Sequence, residues 1–451
     1  MPSTITIAAT LSSVTERGVV RTPHGHLRRA MPVPTPHFAG IDALRAVAAV
    51  AVVLLHACVP YARPSMAGLS WSVHDTTSSA ITVLFWAIEL VIMPIFLVIA
   101  GFFAARSITA RGGWSVTIDR LRRLGRPLLL AMVFLLPVEF YIWMLGWLAD
   151  GVVSWRSVRR IKFEAGIDRN LWGLSHLWFL QYLMTYLVIL AVVWPRLRSW
   201  SGRSIARYGL PCLFAAAVIS LAMRPEVVWG FQHSFLPVLS KWIYSGAFFA
   251  TGVLWFQLDP QLTRIAAGGQ RLLGPGALLG VAAVSMGIWW LDAAGEPQAW
   301  LHGGWGDASM TEGIPTRLGG FPIGGVWMRS GLAFLTVTAA AVLTFAFIGV
   351  ASTRIRPLGP LMSSLAAGSF LIYLLHHPVV SLVHIASKFG LPGISPLAKV
   401  TLATTLGVAA GWSVSWLAVR RRLETEERTD ATRSIPFPRA DEAGEQSTKA
   451  A

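Results

Sequence analysis

The chain is poor in charge. Of its 451 residues only 13% are Asp, Glu, Lys or Arg, while 54% are hydrophobic; a soluble domain carries about 25% charged residues. A fold this apolar lacks the polar surface to cover itself in water. A soluble class is therefore excluded, and lipid is implied as the surrounding solvent. Mean hydropathy is +0.57. Acidic residues are scarcer than basic ones, 22 against 38, for a formal net charge of +16. In a soluble chain that imbalance would point to nucleic acid. Here the arginines gather at the ends of apolar segments, where they signal topology and meet anionic headgroups, so membrane lipid is expected as a partner and nucleic acid is not. Cysteine is nearly absent. Cys58 and Cys212 both sit in apolar stretches and read as small buried apolar residues, not as a disulfide or metal ligands. Residues 1–36 lack the apolar core of a cleavable leader, so the first helix is expected to act as an uncleaved anchor. No internal repeat is visible, which weakens a transporter reading, and there is no nucleophile elbow.

What is present is a series of apolar runs near 20 residues, the length that spans a bilayer as helix. They fall near 41–60, 81–104, 125–147, 175–194, 208–224, 239–257, 272–292, 329–351, 364–388 and 397–420, the sixth being the weakest. The expected fold is an all-α polytopic integral membrane bundle of about ten transmembrane helices. Residues 38–422 form the membrane domain, with disordered tails at 1–37 and 423–451. Basic residues collect in the N-terminal tail, in the second-to-third loop (Arg106, Arg111, Arg120, Arg122, Arg123, Arg126), in the fourth-to-fifth loop, after the eighth helix and after the tenth. With an even helix count these all fall on one side, expected to be the cytoplasm with both termini inside. The segment 148–174 runs against the rule, with Arg156, Arg159, Arg160, Lys162 and Arg169 on the outside. The 293–328 loop, rich in Gly and Trp, carries Asp292, Glu296, His302, Asp307 and Glu312; its aromatics read as an interfacial belt or as sugar-stacking surfaces.

Ionisable residues inside apolar segments are costly and mark function. The first helix holds two, Arg45 and His56. Eleven residues is almost three turns and about 16 Å of rise, so both face one side, Arg45 near the inner end and His56 near the outer. A guanidinium meets phosphates and an imidazole moves protons. Taken singly, Arg45 reads as a snorkelling side chain and His56 as a helix-to-helix hydrogen bond. In register, the pair reads as a polar track for chemistry. Glu89 is an expected partner for a buried cation. Glu139 reads equally as a partner for Arg45 or as a catalytic carboxylate. His176 opens the fourth helix ahead of Trp178 and Gln181. His376 and His377 are neighbours in the ninth, about 100° apart, so one of the two is expected to face the polar centre, with His384 further along. Metal-ligand spacings with carboxylates are missing, and no metal is expected.

The spacing of Arg45 and His56 in DALRAVAAVAVVLLHA resembles the hallmark of acyltransferase family three. MPIFLVIAGFFAARS, RLRRLGRP, HLWFLQYL and FLIYLLHHPVV follow in that family's order over about residues 38–420. The likeness is strongest to the branch of glucan-modifying succinyltransferases, sometimes named glucans biosynthesis protein C. What the resemblance implies is an acyltransferase transferring groups other than aminoacyl groups, set in a bacterial inner (cytoplasmic) membrane. It would move acetyl, succinyl or a similar group from cytoplasmic acyl-coenzyme A to a carbohydrate or other hydroxylated acceptor at the outer face. Acyl-coenzyme A would be a co-substrate, with no cofactor bound permanently. The resemblance makes Arg45 and His56 the essential pair and Arg120, Arg122 and Arg123 the donor-binding segment. It carries His176 and His376 over more weakly. The readings left beside it are another membrane-bound acyl or sugar transferase, and a polytopic solute or proton-coupled transporter.

Overall fold

The computed structural model describes residues 19–21, 27–29, 38–63, 71–163, 173–230, 234–293, 326–354 and 358–433. Nine helices among them are long and apolar enough to cross a membrane. These are α1 (Ala39–Cys58), α2 (Ser79–Arg111), α3 (Gly113–Ala149), α4 (Ser175–Leu197), α5 (Gly202–Met223), α7 (Thr263–Asp292), α8 (Val326–Arg354), α9 (Pro360–Gly390) and α10 (Pro396–Arg433). The sixth expected span is also a helix, α6 (Leu239–Leu258). Ser240, Lys241, Tyr244 and Ser245 in its first half dilute its apolarity. The chain is thus an all-α polytopic membrane bundle. The separate unit Met1–Phe38 contains an antiparallel ribbon, Val19–Arg21 against Leu27–Arg29. Helix α10 runs on to Arg433, past the boundary expected at 422. The Trp-rich residues 294–325 lie outside the described residues.

Helices α1 and α9 form the centre. Their apolar windows are 67% and 61% buried, against 22% for α10 and 28% for α5 and α7. On α1 the exposed position is Val47, with Leu54 half-buried on the same stripe. At about 100° per residue, Arg45 and His56 point to the opposite flank, into the bundle. There α1 packs against α2, α8, α9 and α10.

The basic segment expected as a loop before the third helix is helical. Gly112, at φ +87, turns the chain in a single residue, and α3 then runs unbroken from Gly113 to Ala149. Its first half is amphipathic: Arg122, Arg123 and Arg126 are exposed, while Val116 and Thr117 are buried, Thr117 Oγ1 donating to the Leu187 carbonyl of α4 at 3.4 Å. A stripe of arginines over a buried flank reads as a loop when only total hydropathy is counted. Two helices contain π turns, Ala131–Leu135 in α3 and Ile205–Gly209 in α5. Each stands two residues ahead of a proline, Pro137 or Pro211. Proline lacks the N–H for the α-helical bond and its ring crowds the carbonyl four residues back; the wider turn gives it room. Cys58 is buried as expected, but Cys212 is exposed on the outside of α5, an apolar exterior in this class of bundle.

Small residues set a close crossing of α2 and α6. A Cβ on Gly101 would lie 2.0 Å from the Phe249 carbonyl oxygen, and one on Gly252 would lie 2.0 Å from that of Val98. The backbones of α2 and α6 therefore touch. Replacing Gly252 with Leu forces them apart. A loss of about 1–3 kcal/mol is expected, the cost of an overpacked interior, read as a lower melting temperature of the detergent-solubilised chain.

Candidate active site

Four helices bring histidines and a carboxylate to one buried place. Glu139 stands in the first turn after the π turn of α3, only 2% exposed. Its Oε1 is 3.0 Å from His377 Nδ1 and its Oε2 is 3.6 Å from His176 Nδ1. Ser175 donates its hydroxyl to Oε1 at 2.6 Å. Ser175 holds a left-handed backbone, φ +49, rare for a residue with a side chain and typical of functional sites. On the other flank of α9, His376 Nε2 lies 3.2 Å from His56 Nδ1 on α1. The His56 ring also meets the His377 ring edge-on, centroids 4.8 Å apart. Both histidines of the adjacent pair therefore belong to the site. The 100° between them lets His376 reach α1 while His377 reaches α3 and α4. The expectation that one would turn away fails because the polar centre surrounds α9 on two sides.

Neighbouring acceptors fix the tautomers. His376 Nδ1 faces the carbonyls of Ile372 (3.1 Å) and Tyr373 (2.8 Å), so it carries the proton and Nε2 is an acceptor. His56 Nδ1 faces that acceptor and the Val52 carbonyl at 2.8 Å, so it is an N–H donor. The lone pair of His56 is then left on Nε2. Among the histidines of the cluster, His56 alone is partly accessible; His176, His376, His377 and His384 are buried. His176 is held by a different device. Pro378 has no N–H, so the carbonyl of Leu374, four residues earlier, loses its helical partner. His176 donates Nε2–H to that carbonyl at 3.2 Å, and Tyr373 donates its hydroxyl to the His176 carbonyl.

Glu139, His176 and His377 each offer one donor atom within 4.8 Å of the others, a grouping that could hold an ion. Spacing along the chain hides it, because three helices supply it. The imidazoles of His176 and His377 are stacked, centroids 4.6 Å and planes 11° apart. An ion lying in one ring plane, where the lone pair points, lies out of the other. The set therefore fits hydrogen-bonded proton chemistry better than tetrahedral coordination.

The segment after α1 closes one side of the site. Trp71 donates its indole N–H to His384 Nδ1 at 2.9 Å, Trp147 donates to the Trp71 carbonyl at 2.7 Å, and Trp143 donates to Ser381 Oγ at 3.2 Å. A Cβ on Gly146 would lie 2.2 Å from the Ser72 carbonyl oxygen, so only glycine lets α3 lie this close. Asp75 pairs with Lys399 of α10 at 2.7 Å, and Asp150, at the end of α3 and paired with Lys388 of α9, accepts the His74 amide at 3.5 Å. Burial would raise the Asp75 carboxyl, but hydrogen bonds from Lys399 and the Thr76 amide outweigh it and hold it below 3.8. Burial lowers His74 to about 4, with the Asp150 charge opposing.

The remaining expected residues stand elsewhere. Arg45 is 3 residues from its partner Asp42, at 2.9 Å. It does not pair with Glu139, which is met by histidines and a serine near the far end of α1. Arg45 does lie within electrostatic reach of Arg120, together with Arg111, Asp119 and Arg123. Arg120 donates to Ser107 Oγ at 3.2 Å, and Asp119 takes Arg123 at 2.9 Å and Arg111 at 3.7 Å. Arg45 thus marks a basic end and His56 a histidine end of α1. Glu89 stands outside the histidine cluster; its charged neighbour is Lys241 of α6, whose Nζ also sits 3.9 Å from the Trp178 ring centroid. Sequence reasoning passed over Ser175, Trp71, Trp143 and Lys241. The Trp71 segment gave no signal because it is neither apolar nor motif-like.

The described helices form a membrane bundle with a buried carboxylate–histidine cluster at one end of its central helix and arginines at the other. The family model for the acyltransferase family three domain, described as an acyltransferase domain, matches residues 38–416. The chain belongs to that family and is a membrane acyltransferase. No curated protein and no solved structure matches it.

The His74 shift has a measurable consequence. A base whose folded pKa is lowered binds fewer protons folded than unfolded, so its contribution is full above 6.5 and is lost as pH falls from there through about 4. Melting temperature is expected to decline over that window, and His74→Gln to flatten the decline.

Proposed function

We propose that this chain moves an acetyl, succinyl or similar group from cytoplasmic acyl-coenzyme A to a hydroxyl of a carbohydrate at the outer face of a bacterial cytoplasmic membrane. Both termini would lie inside. The observation that carries the proposal is the single partly accessible imidazole of the cluster, His56, whose Nδ1–H is committed to Val52 and His376 and whose Nε2 keeps its lone pair. Such a nitrogen takes the proton of an acceptor hydroxyl as its oxygen attacks the thioester carbonyl. The tetrahedral adduct then collapses, the C–S bond breaks, and the proton passes from His56 to the leaving thiolate. Glu139 stands in the same cluster, 3.0 Å from His377, whose ring meets that of His56, and its negative charge offsets the charge that develops on His56 in that transition. Arg45, with Arg120, Arg122 and Arg123, supplies permanently charged donors for the phosphates of the donor. The rise of about 16 Å along α1 separates this basic end from the base, an arrangement that matches a long donor lying across the bundle.

The test is transfer of labelled acetyl from acetyl-coenzyme A into cell-surface glycans, followed by mass spectrometry with and without the chain. His56→Ala is expected to lower transfer by at least about a hundredfold while the chain still elutes as a folded species. Wild-type transfer in that variant removes His56 from the mechanism. Flux of an unmodified solute into proteoliposomes without acyl donor would favour a transporter instead. In the same assay Arg120→Gln is expected to raise KM for acetyl-coenzyme A by about tenfold with kcat little changed, the mark of lost ground-state binding.

A further inference from the structure

His384 shares α9 with His376 and His377 but takes no part in the grouping around Glu139. It is fully buried, and both of its nitrogens are engaged. Nδ1 accepts the Trp71 indole N–H at 2.9 Å, so the ring proton sits on Nε2 and is donated to the Ala57 carbonyl at 3.1 Å. An imidazole in this state has neither a spare lone pair nor a spare proton. Any acid or base role would first break a buried hydrogen bond.

Both partners of His384 adjoin His56. Ala57 is the next residue along α1. Trp71 lays its ring over the His56 imidazole, centroids 6.0 Å and planes 23° apart, and meets His377 edge-on at 4.8 Å. The terminal torsion of a histidine is broad, with no sharp intrinsic minimum. The Nδ1 hydrogen bonds fix one edge of the His56 ring, and its tilt is fixed by the rings around it: His377 at 4.8 Å and His376 at 5.0 Å on the α9 side, and Trp71 stacked at 6.0 Å on another. The Trp71 backbone is held by Trp147 and its indole by His384.

We propose that His384 is a positioning residue for acyl transfer: it holds Trp71 against His56 and ties the same imidazole to the backbone of α1, so that His56 Nε2 keeps one direction. This rests on His56 as the base of the proposed reaction. A misplacement of about 1 Å at a reacting atom costs on the order of a hundredfold in rate, so the loss falls on kcat and not on donor binding.

Glutamine can reproduce both hydrogen bonds of His384, with its carbonyl accepting from Trp71 and its amide donating to Ala57, whereas it cannot carry a proton as imidazolium. Leucine fills similar space and makes neither bond. His384→Leu is expected to lower kcat for acetyl transfer by at least about tenfold at unchanged KM for acetyl-coenzyme A, and His384→Gln to stay within about threefold of wild type. A second readout needs no substrate: the initial rate at which diethyl pyrocarbonate modifies His56, followed by peptide mass spectrometry. His384→Leu is expected to change that rate by about threefold or more, and His384→Gln to restore it. A folded His384→Gln chain as impaired as His384→Leu would overturn the proposal, because His384 would then act through its own proton. So would a His384→Leu chain with wild-type kcat and labelling, or one whose defect lies in KM. If His56→Ala transfers acetyl like wild type, the base assignment fails instead, and the labelling comparison still decides whether His384 positions His56.

Discussion

A carboxylate in the interior of a membrane bundle has no water to solvate it, and the donors that meet it must come from protein. Glu139 is that group, and its demands fix much of the architecture around it. Ser175 donates to it from the start of α4, at the expense of a left-handed backbone, His377 approaches it from α9 at 3.0 Å, and the His176 ring stands beside it on α4. With α3, α4 and α9 bound to one point, α1 closes the remaining side and delivers His56. Polar groups in lipid are not decoration on a fold held by other forces. They are among the contacts that choose it, since helix association gains little from hydrophobicity alone.

Prolines serve the same end. Each removes a backbone hydrogen bond, and in lipid the orphaned carbonyl must find another donor. At Pro378 the beneficiary is His176, whose tautomer is set by the Leu374 carbonyl that the proline released. At Pro137 the local answer is a π turn, and Glu139 follows it directly. Features that look like helix defects thus stand immediately beside the polar centre on two of the helices that build it.

Much of this was legible in the sequence, for definite reasons. The spans are countable in the sequence because a bilayer imposes a length on each, and nine helices among the described residues are long and apolar enough to cross. Arg45 and His56 could be placed on one inward flank because helical geometry carries eleven residues through nearly whole turns. Glu139, His176 and His376 stood out because ionisable groups are expensive in apolar segments. What resisted was anything that depends on which helices are neighbours. Glu139 as a partner of Arg45 was as good a reading as any until α4 and α9 were in place. Both members of the His376–His377 pair could not be assigned to the centre without knowing that it wraps around α9. Trp71 lies in a connecting segment whose importance comes from Trp147, His384 and Gly146, all distant in the chain. The arginine-bearing half of α3 reads as a loop in the sequence because hydropathy averages away an amphipathic stripe.

The contact between α2 and α6 reaches beyond packing. Where two backbones touch through Gly101 and Gly252, with the Phe102 and Phe256 rings packed 5.5 Å apart beside them, the seam has little room to slide. Stiffness at that seam leaves any breathing of the bundle to its thinly embraced outer members, α5, α7 and α10, whose spans are less than one third enclosed. A bulky guest would then enter by the yielding of that fringe, while the keel formed by α1, α2, α6 and α9 stays still and the reacting groups keep their register.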